Sequence, residues 1–154
     1  MKVADLEFRP YIREEDINKA INQMAERINR DYRGKDPLFM VILNGAFIFA
    51  ADLIRLIRIP SQVSFIKLSS YHDLSSTGKV KELIGLNENI FNRNLIILED
   101  IIDSGLTLQH VLSELEDLGV ASIEIASLFF KPESLKSKLN IKYIGFEIPN
   151  QFIV

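Results

Sequence analysis

Near its middle the chain reads Asn94-Leu95-Ile96-Ile97-Leu98-Glu99-Asp100-Ile101-Ile102-Asp103-Ser104-Gly105-Leu106-Thr107. The apolar run 95–98 is typical of a strand that is buried on both faces. Three carboxylates and a small polar turn follow, and apolar residues then recur at helical spacing over 108–118. The pattern predicts a strand, an acidic edge, a tight turn and a helix.

This arrangement suggests the kind of ligand. In an open α/β sheet, ligands bind outside the carboxyl ends of the strands, where such a turn lies. Backbone N–H groups of the turn and the positive end of the helix favour a phosphate. Carboxylates would repel a phosphate, so they suggest a polyhydroxyl group or a Mg²⁺ beside it, as in a sugar phosphate. A solvated acidic loop before an ordinary helix cap is the alternative. A Walker-type loop is excluded because its glycine–lysine spacing is missing.

Helical and strand-like segments alternate along the rest of the chain. Helical patterns cover 14–30 and 46–57, and further strands are predicted at 38–43, 63–68, 123–130 and 141–148. The alternation predicts an α/β fold with a mainly parallel sheet and helices on both faces. A length of 154 residues predicts one domain, 1–154.

Composition narrows the class of protein. A net charge of −3 argues against a general nucleic-acid binder, which would usually be basic. The chain has no cysteine, which excludes disulfides and thiolate metal sites and fits the cytoplasm. The most apolar region, 39–51, is shorter than the roughly 20 residues of a membrane span. We therefore expect no membrane segment.

Residues 99–107 closely resemble the phosphoribosyl diphosphate signature of type I phosphoribosyltransferases, in particular their hypoxanthine-guanine branch. Shorter motifs match in the family's order: Asn44-Gly45-Ala46, Ser69-Ser70-Tyr71, Ser76-Thr77-Gly78, Lys131-Pro132 and Gly145-Phe146-Glu147-Ile148-Pro149. The resemblance implies a twisted sheet with a small hood from the terminal segments. It also implies Mg²⁺-dependent purine salvage, in which phosphoribosyl diphosphate and hypoxanthine or guanine give IMP or GMP and pyrophosphate. It further implies a cytoplasmic homodimer or homotetramer.

The resemblance assigns roles around the sugar diphosphate. Glu99 and Asp100 would face the ribose hydroxyls, directly or through Mg²⁺, and Asp103 would be the catalytic proton acceptor or donor at the purine's five-membered ring. The 5-phosphate would bind to Ser104, Gly105, Leu106 and Thr107. The pyrophosphate would bind to Asn44 and Gly45.

The remaining roles concern the lid and the base. Ser70 and Tyr71 would belong to a lid over the reaction, within a polar stretch that on composition alone could equally be a surface hairpin. Lys131 would donate to the purine 6-oxygen, although a lysine at a strand end is more often solvated. Phe152 would stack on the purine and the Ile153 backbone would contact its edge, although a terminal aromatic residue can simply pack loosely.

Two departures from the family pattern support a second hypothesis. Asn44 stands where many relatives have lysine, which would weaken pyrophosphate binding. The sequence stops at Val154, where relatives continue with a Gly-Tyr-Gly/Ala-Leu-Asp-Tyr segment and an arginine. We expect that this C-terminal segment is missing from the sequence given; the alternative, that the protein has lost it, would favour the second hypothesis. The second hypothesis is a non-catalytic sensor of phosphoribosyl diphosphate or nucleotides on the same fold. The sequence also leaves open the preference among hypoxanthine, guanine and xanthine.

Overall fold

The structure is a computed structural model that describes residues 2–3, 6–7, 9–68, 83–84 and 88–153. Its helices are α1 (Glu14–Asp31), α2 (Phe47–Ile54) and α3 (Leu106–Asp117). Two short strands, β1 (Lys2–Val3) and β2 (Leu6–Glu7), pair antiparallel in a sheet of their own. The main sheet contains β3 (Leu38–Leu43), β4 (Gln62–Leu68), β5 (Leu83–Ile84), β6 (Asn94–Ile102), β7 (Ser122–Phe130) and β8 (Tyr143–Glu147).

The main sheet has the strand order β5-β4-β3-β6-β7-β8. Five neighbouring strands run parallel, in the order β4-β3-β6-β7-β8, and β5 pairs antiparallel with β4 at one edge. The mainly parallel α/β sheet predicted from the sequence is therefore confirmed. The two-residue strands escaped prediction because so short a segment carries no periodicity.

Helices cover both faces of this sheet, as predicted. Phe39 and Val41 of β3 pack with α1 and α2, whereas Leu38 and Met40 pack with α3. This alternation follows from the strand geometry, in which successive side chains point to opposite faces. All four residues are fully buried, which explains why β3 reads as a continuous apolar run rather than an alternating one.

Strand β6 is longer than the sequence predicted. Its pairing with β3 ends at Leu98, but its pairing with β7 continues through Ile102. The backbone therefore stays extended through the acidic segment because one neighbour still supplies ladder hydrogen bonds. Glu99 and Asp100 are consequently strand residues rather than residues of a loop. They lie in the part of β6 that extends beyond its pairing with β3.

Helix α2 is shorter and less buried than predicted. It ends at Ile54 instead of extending to residue 57, and its Phe49 and Leu53 are buried in the core. Phe47 and Ile48, by contrast, are 53% and 68% exposed. A helix that lies on one face of a sheet keeps its opposite face in solvent, so the apolar composition of 46–57 is not explained by burial alone.

The remaining predicted boundaries differ from the structure by a few residues at most. Helix α1 has one further residue at its end, β3 matches the predicted 38–43, β4 and β7 each begin one residue early, and β8 is shorter than the predicted 141–148. None of the helices among the described residues combines the length and apolar character that a bilayer span requires.

Candidate active site

The crevice between β3 and β6 is the natural place for a site. The chain leaves β3 through α2 to reach β4 on one side, and leaves β6 through α3 to reach β7 on the other. The two connections therefore diverge at the carboxyl ends of β3 and β6, and such a switch point forms a ligand-binding crevice in open α/β sheets. Both the Asn44–Gly45 loop and the acidic segment lie at this edge.

The loop after β3 contacts the acidic segment directly. The Leu43–Asn44 peptide bond is cis, and Gly45 follows it. A Cβ atom at Gly45 would lie only 2.5 and 2.7 Å from the two carboxylate oxygens of Asp100. Glycine is therefore the residue that leaves the Asp100 carboxylate in its observed position. The structure thus brings together two motifs that are 55 positions apart in the chain.

Glu99 and Asp100 form a coupled pair of carboxyl groups. The Asp100 backbone N–H donates to Glu99 Oε1 at 3.2 Å. Burial raises the pKa of Glu99 to about 9, and the hydrogen bond and negative charge of the Asp100 side chain add to the rise. Glu99 is therefore largely protonated at neutral pH, and a cation close to it would favour the ionised form.

Asp103 and Lys131 form an ion pair at the ends of β6 and β7. Lys131 Nζ donates to Asp103 Oδ2 at 2.9 Å, with the Lys131 side chain 8% exposed and the Asp103 side chain 55% exposed. This hydrogen bond holds the pKa of Asp103 below its ordinary value, although partial burial acts in the opposite direction. The alternative that Lys131 is merely solvated is wrong: the lysine is buried and the carboxylate faces solvent.

The turn between β6 and α3 requires a glycine. Gly105 has φ 72°, in the left-handed region, and α3 begins at the next residue, Leu106. Ser104 Oγ accepts a long hydrogen bond of 3.5 Å from the Leu106 N–H. The turn therefore places the start of a helix, whose first N–H groups have no acceptor within the helix, directly after the carboxylates. Thr107 is the second residue of this helix.

The C-terminal segment leaves the sheet next to Lys131. The Ile148 N–H donates to the Phe130 carbonyl at 2.8 Å, so β8 ends beside the residue that precedes Lys131. Further along, Phe152 is 73% exposed and Ile153 is partly buried. The predicted lid residues Ser70 and Tyr71 lie outside the described residues.

The sequence predicted no role for residues 133–137, yet several of them contact the site. Ser134 is buried and contributes, after Lys131, to the low pKa of Asp103. The Ser104 carbonyl accepts hydrogen bonds from the Lys136 N–H at 2.9 Å and from Ser137 Oγ at 3.3 Å. The only signal in the sequence is a mostly polar stretch rich in serine and lysine over 133–138, which is also typical of an ordinary loop.

Comparison with known proteins identifies the family. Residues 12–154 match the family model described as a phosphoribosyl transferase domain. The chain belongs to the phosphoribosyltransferase family. Relatives include a hypoxanthine-guanine phosphoribosyltransferase of Mycobacterium tuberculosis, 38% identical in an alignment of length 147 that covers 91% of this chain and 73% of the relative. A hypoxanthine phosphoribosyltransferase of Buchnera aphidicola is 39% identical over 146 residues, with 93% and 82% covered.

Solved structures agree with this assignment. The crystal structure of a hypoxanthine-guanine phosphoribosyltransferase from Bacillus anthracis is similar with a TM-score of 0.85 at 38% identity, covering 94% of this chain and 84% of that one. The fold is therefore that of the type I phosphoribosyltransferases. The resemblance of residues 99–107 to the hypoxanthine-guanine branch is confirmed.

Proposed function

We propose that the protein is a purine salvage enzyme that transfers ribose 5-phosphate from phosphoribosyl diphosphate to hypoxanthine or guanine and releases pyrophosphate. The observation that carries the proposal is the convergence of three separate segments at one crevice. Gly45 contacts Asp100, and Lys131 pairs with Asp103, so the acidic segment lies between a backbone loop and a buried cation. The curated relatives with the same activity in their names support it.

The carboxyl pair suits the charge that the reaction creates. Cleavage at the anomeric carbon develops positive charge on the sugar, as in glycoside hydrolysis, and negative charge on the departing pyrophosphate. In the proposal, Glu99 and Asp100 accept hydrogen bonds from the ribose hydroxyls and stabilise the positive sugar. The amides of Asn44 and Gly45 bind the pyrophosphate, and Ser104–Thr107 hold the 5-phosphate at the start of α3.

The same carboxyl groups fit a Mg²⁺ ion that arrives with the substrate. Mg²⁺ is usually bound by one or two carboxylates together with substrate phosphates, and Glu99 and Asp100 offer such a pair. Within the described residues no group of three acidic or histidine side chains could form a complete protein cage. When bound, the ion would neutralise the leaving pyrophosphate. Glu99, held protonated by burial and by Asp100, would ionise more readily beside it.

The Asp103–Lys131 pair suits the purine. A 6-oxopurine would offer its oxygen to Lys131 Nζ, whereas the amino group of adenine offers no such acceptor. As Lys131 turns to the base, Asp103 loses the hydrogen bond that lowers its pKa, so the carboxylate becomes a stronger proton acceptor. Recognition of the 6-oxygen would therefore also prepare Asp103 to take the ring proton. Phe152 and the Ile153 backbone would complete the base site.

The decisive experiment measures nucleotide formation from phosphoribosyl diphosphate with hypoxanthine, guanine, xanthine and adenine, with and without Mg²⁺. We expect metal-dependent turnover of the 6-oxopurines and none of adenine. In the Lys131→Met variant, the preference over adenine should fall by about 10²-fold or more. Lys142→Met is the matched control, because Lys142 also pairs with a carboxylate, Glu124 at 3.1 Å, away from the site. Binding of phosphoribosyl diphosphate without pyrophosphate release from any base would instead support the sensor.

The exposed apolar side chains of α2 and β4 support a homo-oligomer as part of the same proposal. Val63 and Phe65, 36% and 44% exposed, are in register with Phe39 and Val41 and so lie on the α2 face of the sheet, as do the exposed Phe47 and Ile48. Monomeric proteins seldom expose many large apolar side chains on one face. We expect sedimentation to show a dimer or tetramer that Ile48→Glu weakens; an unchanged assembly would count against this surface. The cytoplasmic location and the extent of the domain over 1–154 stay predictions.

A further inference from the structure

One continuous stretch of chain, residues 131–139, runs along the back of the turn that follows β6; we call it the bracing segment. Its Lys131 N–H donates to the Ile102 carbonyl at 2.9 Å. Further along, the Lys136 N–H and Ser137 Oγ both donate to the Ser104 carbonyl, at 2.9 and 3.3 Å. The turn is therefore held from behind by three hydrogen bonds that come from outside the acidic motif.

Side-chain packing joins the bracing segment to the turn at a single point. A Cβ atom built on Gly105 would lie 2.2 Å from Ser137 Oγ and 2.8 Å from a methyl carbon of each of Leu135 and Leu139. The bracing segment thus lies directly against the Gly105 backbone. Leu135 and Leu139 also pack against the core cluster beneath α3, so the segment is anchored on its other side and cannot move freely away from the turn.

These contacts set the direction of one backbone amide. In a trans peptide unit the carbonyl and the N–H point in opposite directions across a rigid plane. The Ser104 carbonyl and the Gly105 N–H belong to the same unit. Because two donors of the bracing segment hold the carbonyl, the Gly105 N–H points away from that segment. The proposed 5-phosphate site uses this N–H as a donor, so the direction of the Gly105 N–H toward the phosphate depends on the bracing segment.

We propose that Ser137 is a positioning residue for the 5-phosphate site: by holding the Ser104 carbonyl it orients the Gly105 amide toward the phosphate. The inference rests on the proposed function, since it assumes that residues 104–107 bind a phosphate. Lys136 contributes through its backbone N–H, which only a proline would remove, and proline would also constrain the backbone. Ser137 is therefore the residue whose contribution a side-chain substitution can test. Ser137 itself touches neither substrate nor metal in this scheme.

The test compares Ser137→Ala with Ser137→Thr, which keeps the hydroxyl. We expect Ser137→Ala to raise the KM for phosphoribosyl diphosphate by about three- to tenfold, the effect of losing one hydrogen bond. The KM for hypoxanthine and kcat should stay within about twofold, and Ser137→Thr should recover most of the loss. Ser122→Ala is the matched control, because Ser122 Oγ also donates within the protein, to Asn94 Oδ1 at 2.8 Å, at the opposite ends of β6 and β7.

Binding of ribose 5-phosphate, measured by calorimetry, separates this inference from the proposed function. Ribose 5-phosphate that binds Ser137→Ala more weakly than it binds the parent protein and Ser122→Ala supports the inference, even if no purine is turned over. Absence of turnover with every purine would refute the proposed function but not this inference. Equal binding by a Ser137→Ala protein with an unchanged thermal midpoint overturns the inference. A parallel loss of affinity for both substrates together with a lower midpoint also overturns it, because a purely structural role would produce that pattern.

Discussion

The contact between Gly45 and Asp100 leads to a prediction in which activity and stability separate. In Gly45→Ala the new Cβ would lie 2.5 Å from an Asp100 carboxylate oxygen. An ordinary contact needs about 3.5 Å, so the carboxylate must move by about 1 Å. The moving atoms are at the end of a side chain, which can rotate, so the backbone need not shift.

The consequences for rate and for stability follow from that displacement. A misplacement of about 1 Å in a reacting site can cost about 10²-fold in rate. We therefore expect kcat/KM for phosphoribosyl diphosphate to fall by about 10²-fold. The backbone at Gly45 does not have a positive φ, so alanine is compatible with its conformation. The free energy of unfolding should change by less than about 1 kcal/mol, because the loss of chain entropy in the unfolded state offsets the local displacement.

Gly34→Ala is the control with the opposite pattern. Gly34 has φ 77°, and nothing lies within 4 Å of the position that its Cβ would occupy. It belongs to the connection between α1 and β3, away from the crevice. An L-residue in the left-handed region costs about 1–2 kcal/mol, so this variant should lose stability and keep its activity.

Steady-state kinetics and urea unfolding on the same preparations provide the test. Full activity in a folded Gly45→Ala protein would show that the Asp100 carboxylate need not occupy its observed position, and the proposed role of Asp100 would fail. A loss of activity that is matched by a loss of stability as large as that of Gly34→Ala would point to misfolding instead, and would equally refute the reasoning.

Three further predictions concern charge, pH and metal. Asp103→Asn leaves the buried Lys131 ammonium without its charged partner and should lower the free energy of unfolding by about 2–3 kcal/mol, whereas Lys131→Met leaves a half-exposed carboxylate and should lower it by less than about 1 kcal/mol. Urea unfolding at neutral pH measures both changes. A larger loss for Lys131→Met than for Asp103→Asn would contradict the conclusion that the lysine is the buried member of the pair. Tyr143, fully buried, donates to Asp31 Oδ2 at 3.0 Å, and burial raises its pKa well above the ordinary value. Because ionisation of Tyr143 is thus disfavoured in the folded state, its contribution to the stability of the fold is complete below about pH 10 and is lost as the pH rises further. Between about pH 9 and 11, Tyr143→Phe should therefore lose less stability than the parent protein. An equal loss in both proteins would show that Tyr143 does not cause the loss of stability at high pH. Removal of divalent ions with EDTA should abolish turnover and leave the thermal midpoint of the substrate-free protein unchanged. The reason is that Glu99 and Asp100 are proposed to bind the ion only together with the substrate. A large drop in the midpoint would instead indicate an ion that is bound without substrate.

The limits of prediction are clearest in β6 and at Lys131. The apolar run 95–98 revealed a buried strand, but its extension to Ile102 depends on pairing with β7, a segment that is distant in the chain. Lys131 was predicted to act on the base only through family resemblance. Its burial and its bond to Asp103 arise because β6 and β7 are neighbours and end at the same level, which no local pattern around Lys131 encodes.

The bracing segment shows the same limit for a candidate site. Ser137 lies in a polar stretch without periodicity, and its contact with Ser104 spans 33 positions of the chain. A sequence can indicate that residues 104–107 form a phosphate-type turn, because turn chemistry is local. It cannot indicate which distant residue hydrogen-bonds to the back of that turn.

The sequence alone determined the order of the helices and the longer strands, the acidic motif and the family, because periodicity, turn residues and motif spacing are local properties of the chain. Tertiary structure decided that Gly45 meets Asp100, that Lys131 is buried against Asp103 and that Ser137 holds Ser104. The physical reason is that a strand buried on both faces has the same apolar composition whichever strands lie beside it. Strand order and register, which select those neighbours, follow from packing the main sheet as a whole between two layers of helices.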